Sequence, residues 1–299
     1  MWLDRSGKTL RPVAEPSFYK GCGRLSPDGK RLAVSMGDPQ ADIWVFDLTR
    51  GSRTRLTFSG ATHLMPSWSA DGERSGLRAT KRGDVDYGTS LCARLANGAG
   101  QEEVLVETGS NVSGPAHTLL SLSRRPTAAI YCTWNRRARP GQVCWLYQPQ
   151  AKRKPFSIVQ AQSPQGRIVQ FRLSPDGRWL AYSSTDSGRE EVYVSHFPSG
   201  TGRWQVSQTG GTFPNWRGDS KEIYFIGLDG VLHAAGVNTK SNEFELEWVR
   251  PLFQVNYTSP LGNPYDVVSD GQRFVFATYP ESVSTPLVLV TNWTAELKK

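Results

Sequence analysis

A ten-residue phrase that occurs twice limits what this chain can fold into. Ser26-Pro-Asp-Gly-Lys-Arg-Leu-Ala-Val-Ser35 returns as Ser174-Pro-Asp-Gly-Arg-Trp-Leu-Ala-Tyr-Ser183, and weaker copies begin at Ser69-Ala-Asp-Gly, Arg217-Gly-Asp-Ser and Ser269-Asp-Gly. The anchoring aspartates Asp28, Asp71, Asp176, Asp219 and Asp270 are separated by 43, 105, 43 and 51 residues, and the long gap holds two periods. The mean period of about 48 residues suits a four-stranded antiparallel unit with its loops better than a helical hairpin.

Each unit has a physical reading. A short stretch such as Pro66-Ser-Trp68, Phe171-Arg-Leu173 or Pro214-Asn-Trp216 precedes the turn, and Asp-Gly tolerates the positive φ that closes a tight hairpin. Strand-like runs follow: Arg31-Leu-Ala-Val34, Trp179-Leu-Ala-Tyr182, Glu222-Ile-Tyr-Phe225 and Arg273-Phe-Val-Phe276. Third strands are expected at Asp42-Ile-Trp-Val-Phe-Asp47 and Glu191-Val-Tyr-Val194, and fourth strands at Thr54-Arg-Leu-Thr57 and Trp204-Gln-Val206. With 38% hydrophobic residues, 29 Gly, 19 Pro and 10 Trp, the composition fits an all-β protein rich in turns.

The count of repeats predicts a six-bladed β-propeller of four-stranded antiparallel blades, filling residues 1–299 as one domain. The expected blades are 16–60, 61–108, 109–160, 161–208, 209–255 and 256–299. The last blade offers three strands, Pro264 to Val268, Gln272 to Thr278 and Pro286 to Trp293, while strand-like material at Met1 to Asp4 and Lys8 to Val13 precedes the first anchor. Residues 1–15 are therefore expected to supply the missing outer strand and close the ring, which removes exposed edges.

The Ser-Pro-Asp-Gly-Lys/Arg-x-Leu-Ala-Tyr/Val phrase followed by Asp-Ile-Trp-Val resembles the TolB-like, WD-repeat-like propeller repeats of bacteria. Trp2-Leu-Asp-Arg-Ser-Gly-Lys8, Trp204-Gln-Val-Ser-x-x-Gly-Gly-Thr212 and Thr291-Asn-Trp-Thr-Ala-Glu-Leu-Lys-Lys299 resemble the propeller that follows the kinase domain in certain bacterial serine/threonine kinases. That resemblance implies a sensor or interaction platform beyond a membrane anchor. The chain has neither a Gly-rich phosphate loop leading into a lysine strand nor a His-Arg-Asp catalytic loop, so kinase activity is not expected of it.

Charge is concentrated. From Thr108 to Pro175 there is no acidic residue and there are ten basic ones, so this segment carries +10 in a chain of net +8. The repeat phrase is lost there, with Ser121-Leu-Ser-Arg-Arg-Pro126 in its place, and Glu73 to Ala79 also departs from the pattern. Loss of turn carboxylates together with gain of Arg, Pro and Ser favours a weakly specified, solvated surface over a polyanion site. The one charge-based candidate is the loop Asn135 to Pro140, where Arg136, Arg137 and Arg139 would pair with carboxylate or phosphate.

Other chemistry is sparse. His63 and His117 should enter the innermost strands of adjacent blades near the channel mouth, an arrangement resembling that of propeller polysaccharide lyases, but further metal ligands are missing at the equivalent positions. The repeated aspartates sit once per blade at the same hairpin, too far apart for a glycosidase pair. Cys22, Cys92, Cys132 and Cys144 lack metal or redox spacing, although Cys132 and Cys144 should fall in neighbouring strands. No Gly-x-Ser-x-Gly elbow is present. The expected function is non-enzymatic binding through the funnel face, with a carbohydrate-active enzyme as the alternative. The expected partner is a protein or carbohydrate, with no cofactor and a monomeric state. The compartment is left open: cytoplasmic for a complete chain, extracytoplasmic for a piece of a membrane-anchored kinase.

Overall fold

A computed structural model describes residues 1–15, 17–21, 23–80, 89–108, 118–119, 129–134, 142–147, 156–240, 243–257 and 263–278. Among them the fold is all-β, without helices, and consists of small antiparallel sheets in a propeller-like arrangement. Five sheets are contiguous in sequence. The first contains Arg24–Leu25, Arg31–Met36, Asp42–Asp47 and Arg53–Arg55; the second Thr62–Trp68, Arg74–Thr80, Thr89–Leu95 and Glu103–Thr108. The third contains Thr118–Leu119, Ala129–Trp134, Gln142–Tyr147 and Phe156–Gln160; the fourth Ile168–Leu173, Trp179–Ser184, Glu191–His196 and Trp204–Gln205. The fifth contains Thr212–Trp216, Glu222–Ile226, Val231–Asn238 and Glu245–Gln254.

A further four-stranded sheet is composite. Its order is Thr9–Arg11, Trp2–Asp4, Arg273–Phe276 and Tyr265–Val267, so strands nearly a chain length apart lie side by side. The sequence places the N-terminal segment outside a strand at Pro286 to Trp293. Instead, Trp2 pairs with Val275, Leu3 with Phe274 and Asp4 with Arg273, and the Met1 amino group donates to Phe276 O at 2.8 Å. The N-terminal hairpin thus supplies two strands rather than one, because Trp2 finds an apolar seat there among Leu25, Leu32, Val34 and Val275. Pro286 to Trp293 lies outside the described residues.

The repeated phrase builds its turn as its chemistry requires. Ser26 Oγ donates to Asp28 Oδ1 at 2.5 Å and accepts the Arg31 N–H at 2.9 Å, and Ser69 with Asp71 and Ser174 with Asp176 repeat this geometry. Gly29, Gly72 and Gly177 hold φ near +70° at the same turn position, where a Cβ would be strained. Each aspartate is spent on its own hairpin.

Arg74–Thr80, expected to depart from the repeat, is a regular strand paired on both sides. Burial explains it: Ser75, Leu77 and Ala79 are buried, and Leu77 packs with Trp68 and Cys92. Cys132 and Cys144 are register partners on neighbouring strands, as the sequence predicts. Apolar clusters fill the seams between successive sheets, so the core is divided among them. One joins Ile43 and Val45 to Leu77, another Trp179 and Val194 to Ile223 and Ala235, and a third Tyr224 and Ile226 to Tyr265 and Phe274. No helix of the described residues is long and apolar enough to cross a membrane.

Candidate functional site

First strands of neighbouring sheets touch one another: Arg24–Leu25 meets both Thr62–Trp68 and Tyr265–Val267, and Thr212–Trp216 meets both Ile168–Leu173 and Tyr265–Val267. The turn register aligns Ser26, Ser69, Ser174, Arg217 and Val268, because each donates its amide to the residue that opens the next strand. Two positions earlier stand Arg24, Ser67, Arg172, Asn215 and Asp266. Turn and second strand repeat from sheet to sheet, whereas side-chain chemistry at this position changes each time.

These residues are connected. Asp266, 8% exposed, accepts the Leu25 N–H at 2.8 Å from the first sheet and the Asn215 amide at 2.6 Å from the fifth, with its neighbour Val267 N–H at 3.0 Å. The Arg24 guanidinium lies 3.8 Å from the same carboxylate. One carboxylate therefore ties three sheets together. Indoles fix the strands from the side: Trp68 Nε1 donates to Arg24 O at 2.8 Å, and Trp216 Nε1 donates to Arg172 O at 3.1 Å.

Above this layer the first strands bulge. Met65 and Phe213 hold φ of 54° and 55°, each before a proline and each at a register shift. A bulge re-aims a side chain, and left-handed backbone at a bulky residue is costly unless its surroundings enforce it. Phe213 packs edge-on to Tyr257 at 6.3 Å, and its carbonyl accepts the Tyr265 hydroxyl at 2.9 Å.

His63 lies at the seam of the first two sheets with its ring fully buried. Its Nδ1 is 3.2 Å from Asp42 Oδ1, and its Nε2 is 3.1 Å from Ser59 Oγ and 3.3 Å from Glu102 Oε2. Asp42 also accepts the Thr57 hydroxyl at 2.7 Å and pairs with Arg55 at 2.6 Å. The fourth and fifth sheets meet through a parallel device: Glu191 accepts the Ser207 hydroxyl and takes the Gly210 N–H at 3.0 Å where the first seam has an imidazole. Ser59, His63 and Asp42 lie in the order of a hydrolase relay, but Glu102 shares Nε2 with the serine. The carboxylates occupy opposite ring nitrogens and do not converge on a cation. Among the described residues no group of three or more His, Cys, Asp or Glu is disposed to hold a metal ion.

The hydrogen bond from His63 holds the Glu102 carboxyl below its ordinary value of 4.5, against burial that pushes it up. A carboxylate with a depressed folded value stabilises above its unfolded value and loses that contribution as pH falls through the folded one. The melting-temperature gap between wild type and Glu102→Gln should accordingly narrow between about pH 5 and pH 3. A gap that stays constant across that window would show that the pair contributes nothing to folding.

His117, Arg136, Arg137 and Arg139 lie outside the described residues. The set Arg24, Ser67, Arg172, Asn215 and Asp266 was not singled out from sequence. Its signal was present in Pro66-Ser-Trp68, Phe171-Arg-Leu173 and Pro214-Asn-Trp216, each with a polar residue between apolar neighbours on a first strand.

No protein-family model matches the chain, and no curated protein matches it in sequence. Solved structures do match in shape. One assigned to TolB from Agrobacterium tumefaciens superposes with TM-score 0.64 at 15% identity, covering 93% of this chain and 97% of that one. TolB from Acinetobacter baumannii gives 0.63 at 14% identity, over 85% of this chain and 59% of that one. An oligogalacturonate lyase in complex with manganese gives 0.63 at 13% identity, over 90% and 79%. The fold is a TolB-like β-propeller.

Proposed function

We propose that this TolB-like β-propeller is a non-enzymatic binding module, a sensor or scaffold that takes a protein partner at the mouth of its central channel. The composite sheet acts in this reading as a sixth blade that closes the ring, which gives the mouth a rigid frame. The observation that carries the reading is variation along the innermost strands: a layer of buried Arg24, Ser67, Asn215 and Asp266 with half-buried Arg172 changes in charge and shape from sheet to sheet, and the bulges at Met65 and Phe213 re-aim half-buried side chains above it. Packing alone would favour repetition there; recognition favours diversity. The turn aspartates are engaged at their own hairpins, so they form no carboxylate pair for hydrolysis.

By strand order the loop after Ala129–Trp134 would open on the same side as the connections between sheets. Arg136, Arg137 and Arg139 would there add positive charge to that rim, at the end of the first strands away from Arg24 and Arg172, and His117 would join them. The relation to kinase-associated propellers belongs to the same proposal, with this module as the sensing part of a larger signalling protein.

A photo-crosslinking residue at Phe213 tests the mouth against the outer rim, represented by the exposed Val104. Irradiation in cells should give a discrete adduct from position 213 that Arg172→Glu abolishes, and none from position 104. Adducts from position 104 alone would refute the proposal. So would cleavage of oligogalacturonate by the purified chain, which would establish the enzymatic alternative.

A further inference from the structure

The outer strand of the fifth sheet, Glu245–Gln254, is ten residues long, whereas the outer strands of the other sheets have two to six. It pairs with Val231–Asn238 and ends its sheet, so among the described residues its other edge carries no strand. Long edges with free N–H and C=O groups invite a further strand, which is why most edge strands are short. The adjoining fourth sheet ends in the two-residue strand Trp204–Gln205, too short to pair along its whole length.

What remains uncovered is a cavity of about 450 Å³. Phe225 and His233 form its inner wall as parallel rings 5.1 Å apart, Leu246 and Val249 provide apolar sides, and Thr209 stands at the lip. Glu247 also lines it and makes no hydrogen bond or ion pair with any described residue. Glu245 lies on the same strand and Asp229 is 3.8 Å from His233, so this edge is acidic on a chain of net charge +8. The strand already carries one cation over an apolar surface: the Arg250 guanidinium lies 4.9 Å from the Trp248 ring centre.

We infer that the 245–250 part of this strand, which bulges at Glu247 and stops short of Pro251, accepts an extended basic peptide of a partner protein as an added strand, with one lysine or arginine side chain entering the cavity. Main-chain hydrogen bonds to the free edge supply affinity in this mode, and the pocket beside the edge selects the side chain. The stem of a long cation packs on Leu246 and Val249 while its head reaches Glu247. This site is separate from the channel mouth and stands whether or not the mouth binds a partner.

The probe is a short peptide of alternating lysine and valine, compared with one in which glutamate replaces lysine and one N-methylated at alternate residues. Titration into the full chain should give saturable binding of the lysine peptide with Kd on the order of 10–100 µM. Glu247→Lys should weaken it about ten-fold, as should Thr209→Trp, which fills the cavity. Both substitutions are at exposed positions, and matching circular dichroism establishes that the variants are folded. The N-methylated and glutamate peptides should not bind. The proposal is overturned if the lysine peptide shows no saturable binding, if the N-methylated peptide binds equally, or if neither variant weakens binding. It is also overturned if the chain is a dimer in solution through this edge, since a second copy would then be the occupant.

Discussion

Removal of residues 1–13 is expected to leave a protein that aggregates or melts at least ~10 °C lower than the full chain. The deletion takes away two strands of the composite sheet and uncovers the edge of Arg273–Phe276, a hydrophobic strand that can then pair with other chains. It also removes Trp2, 5% exposed, from the cluster with Leu25, Leu32, Val34 and Val275. Truncating a buried tryptophan alone costs about 3–5 kcal/mol, a large part of the 5–15 kcal/mol that holds a typical domain folded. Arg5 goes too: its guanidinium donates at 2.8 Å to Glu222, a carboxylate 7% exposed that also takes the Arg217 guanidinium and the Tyr224 hydroxyl. Calorimetry with size-exclusion chromatography provides the check. An unchanged melting temperature and a monomeric elution would mean that these strands contribute nothing to stability.

Asp266→Ala should be nearly as damaging, although it changes one side chain. Its carboxylate takes amide donors from the first and fifth sheets and lies beside the Arg24 guanidinium, all in a buried layer. Removing one partner from a buried charged network costs about 3–5 kcal/mol, because the remaining donors keep their desolvation penalty without their acceptor. Asp266→Asn keeps the shape but points an amide donor at other donors, so it should be less harmful than alanine and clearly worse than wild type. Urea unfolding should show a lower midpoint with the same slope, since the surface exposed on unfolding is unchanged. A loss below about 1 kcal/mol for the alanine variant would remove the carboxylate's role as a three-sheet tie.

The parts of the fold written in repeated local chemistry were legible in advance. Ser-Pro-Asp-Gly announces a hairpin because each residue acts within its own turn, and the strands flanking Asp28, Asp176 and Asp219 fall where their alternation places them. Arg74–Thr80 was harder, since its burial depends on Trp68 and Cys92 from neighbouring strands rather than on its own composition. The composite sheet was read in part: the segments at Pro264 and Gln272 and the N-terminus were placed together, but the N-terminus was set against Pro286 to Trp293, which lies outside the described residues, and nothing local to Trp2 or Leu3 says that Val275 and Phe274 lie directly alongside. The site was the least legible. Asp266 draws its partners from Leu25 and Asn215, distant in sequence, so only the assembled sheets make it conspicuous. His63 was visible as a rare residue, yet its closure between Asp42 and Glu102 depends on how two sheets meet.

The indole-to-carbonyl bonds give the array a direction that matters during synthesis. Trp68 reaches back to Arg24 and Trp216 reaches back to Arg172, so each of these sheets docks on one that has already left the ribosome. The composite sheet reverses that order. Trp2–Asp4 can pair early with Thr9–Arg11, but its other edge has no partner until Arg273–Phe276 is made. Throughout elongation the nascent chain therefore displays an aromatic side chain and an unpaired edge, the kind of surface that chaperones bind and that seeds misassembly on crowded polysomes.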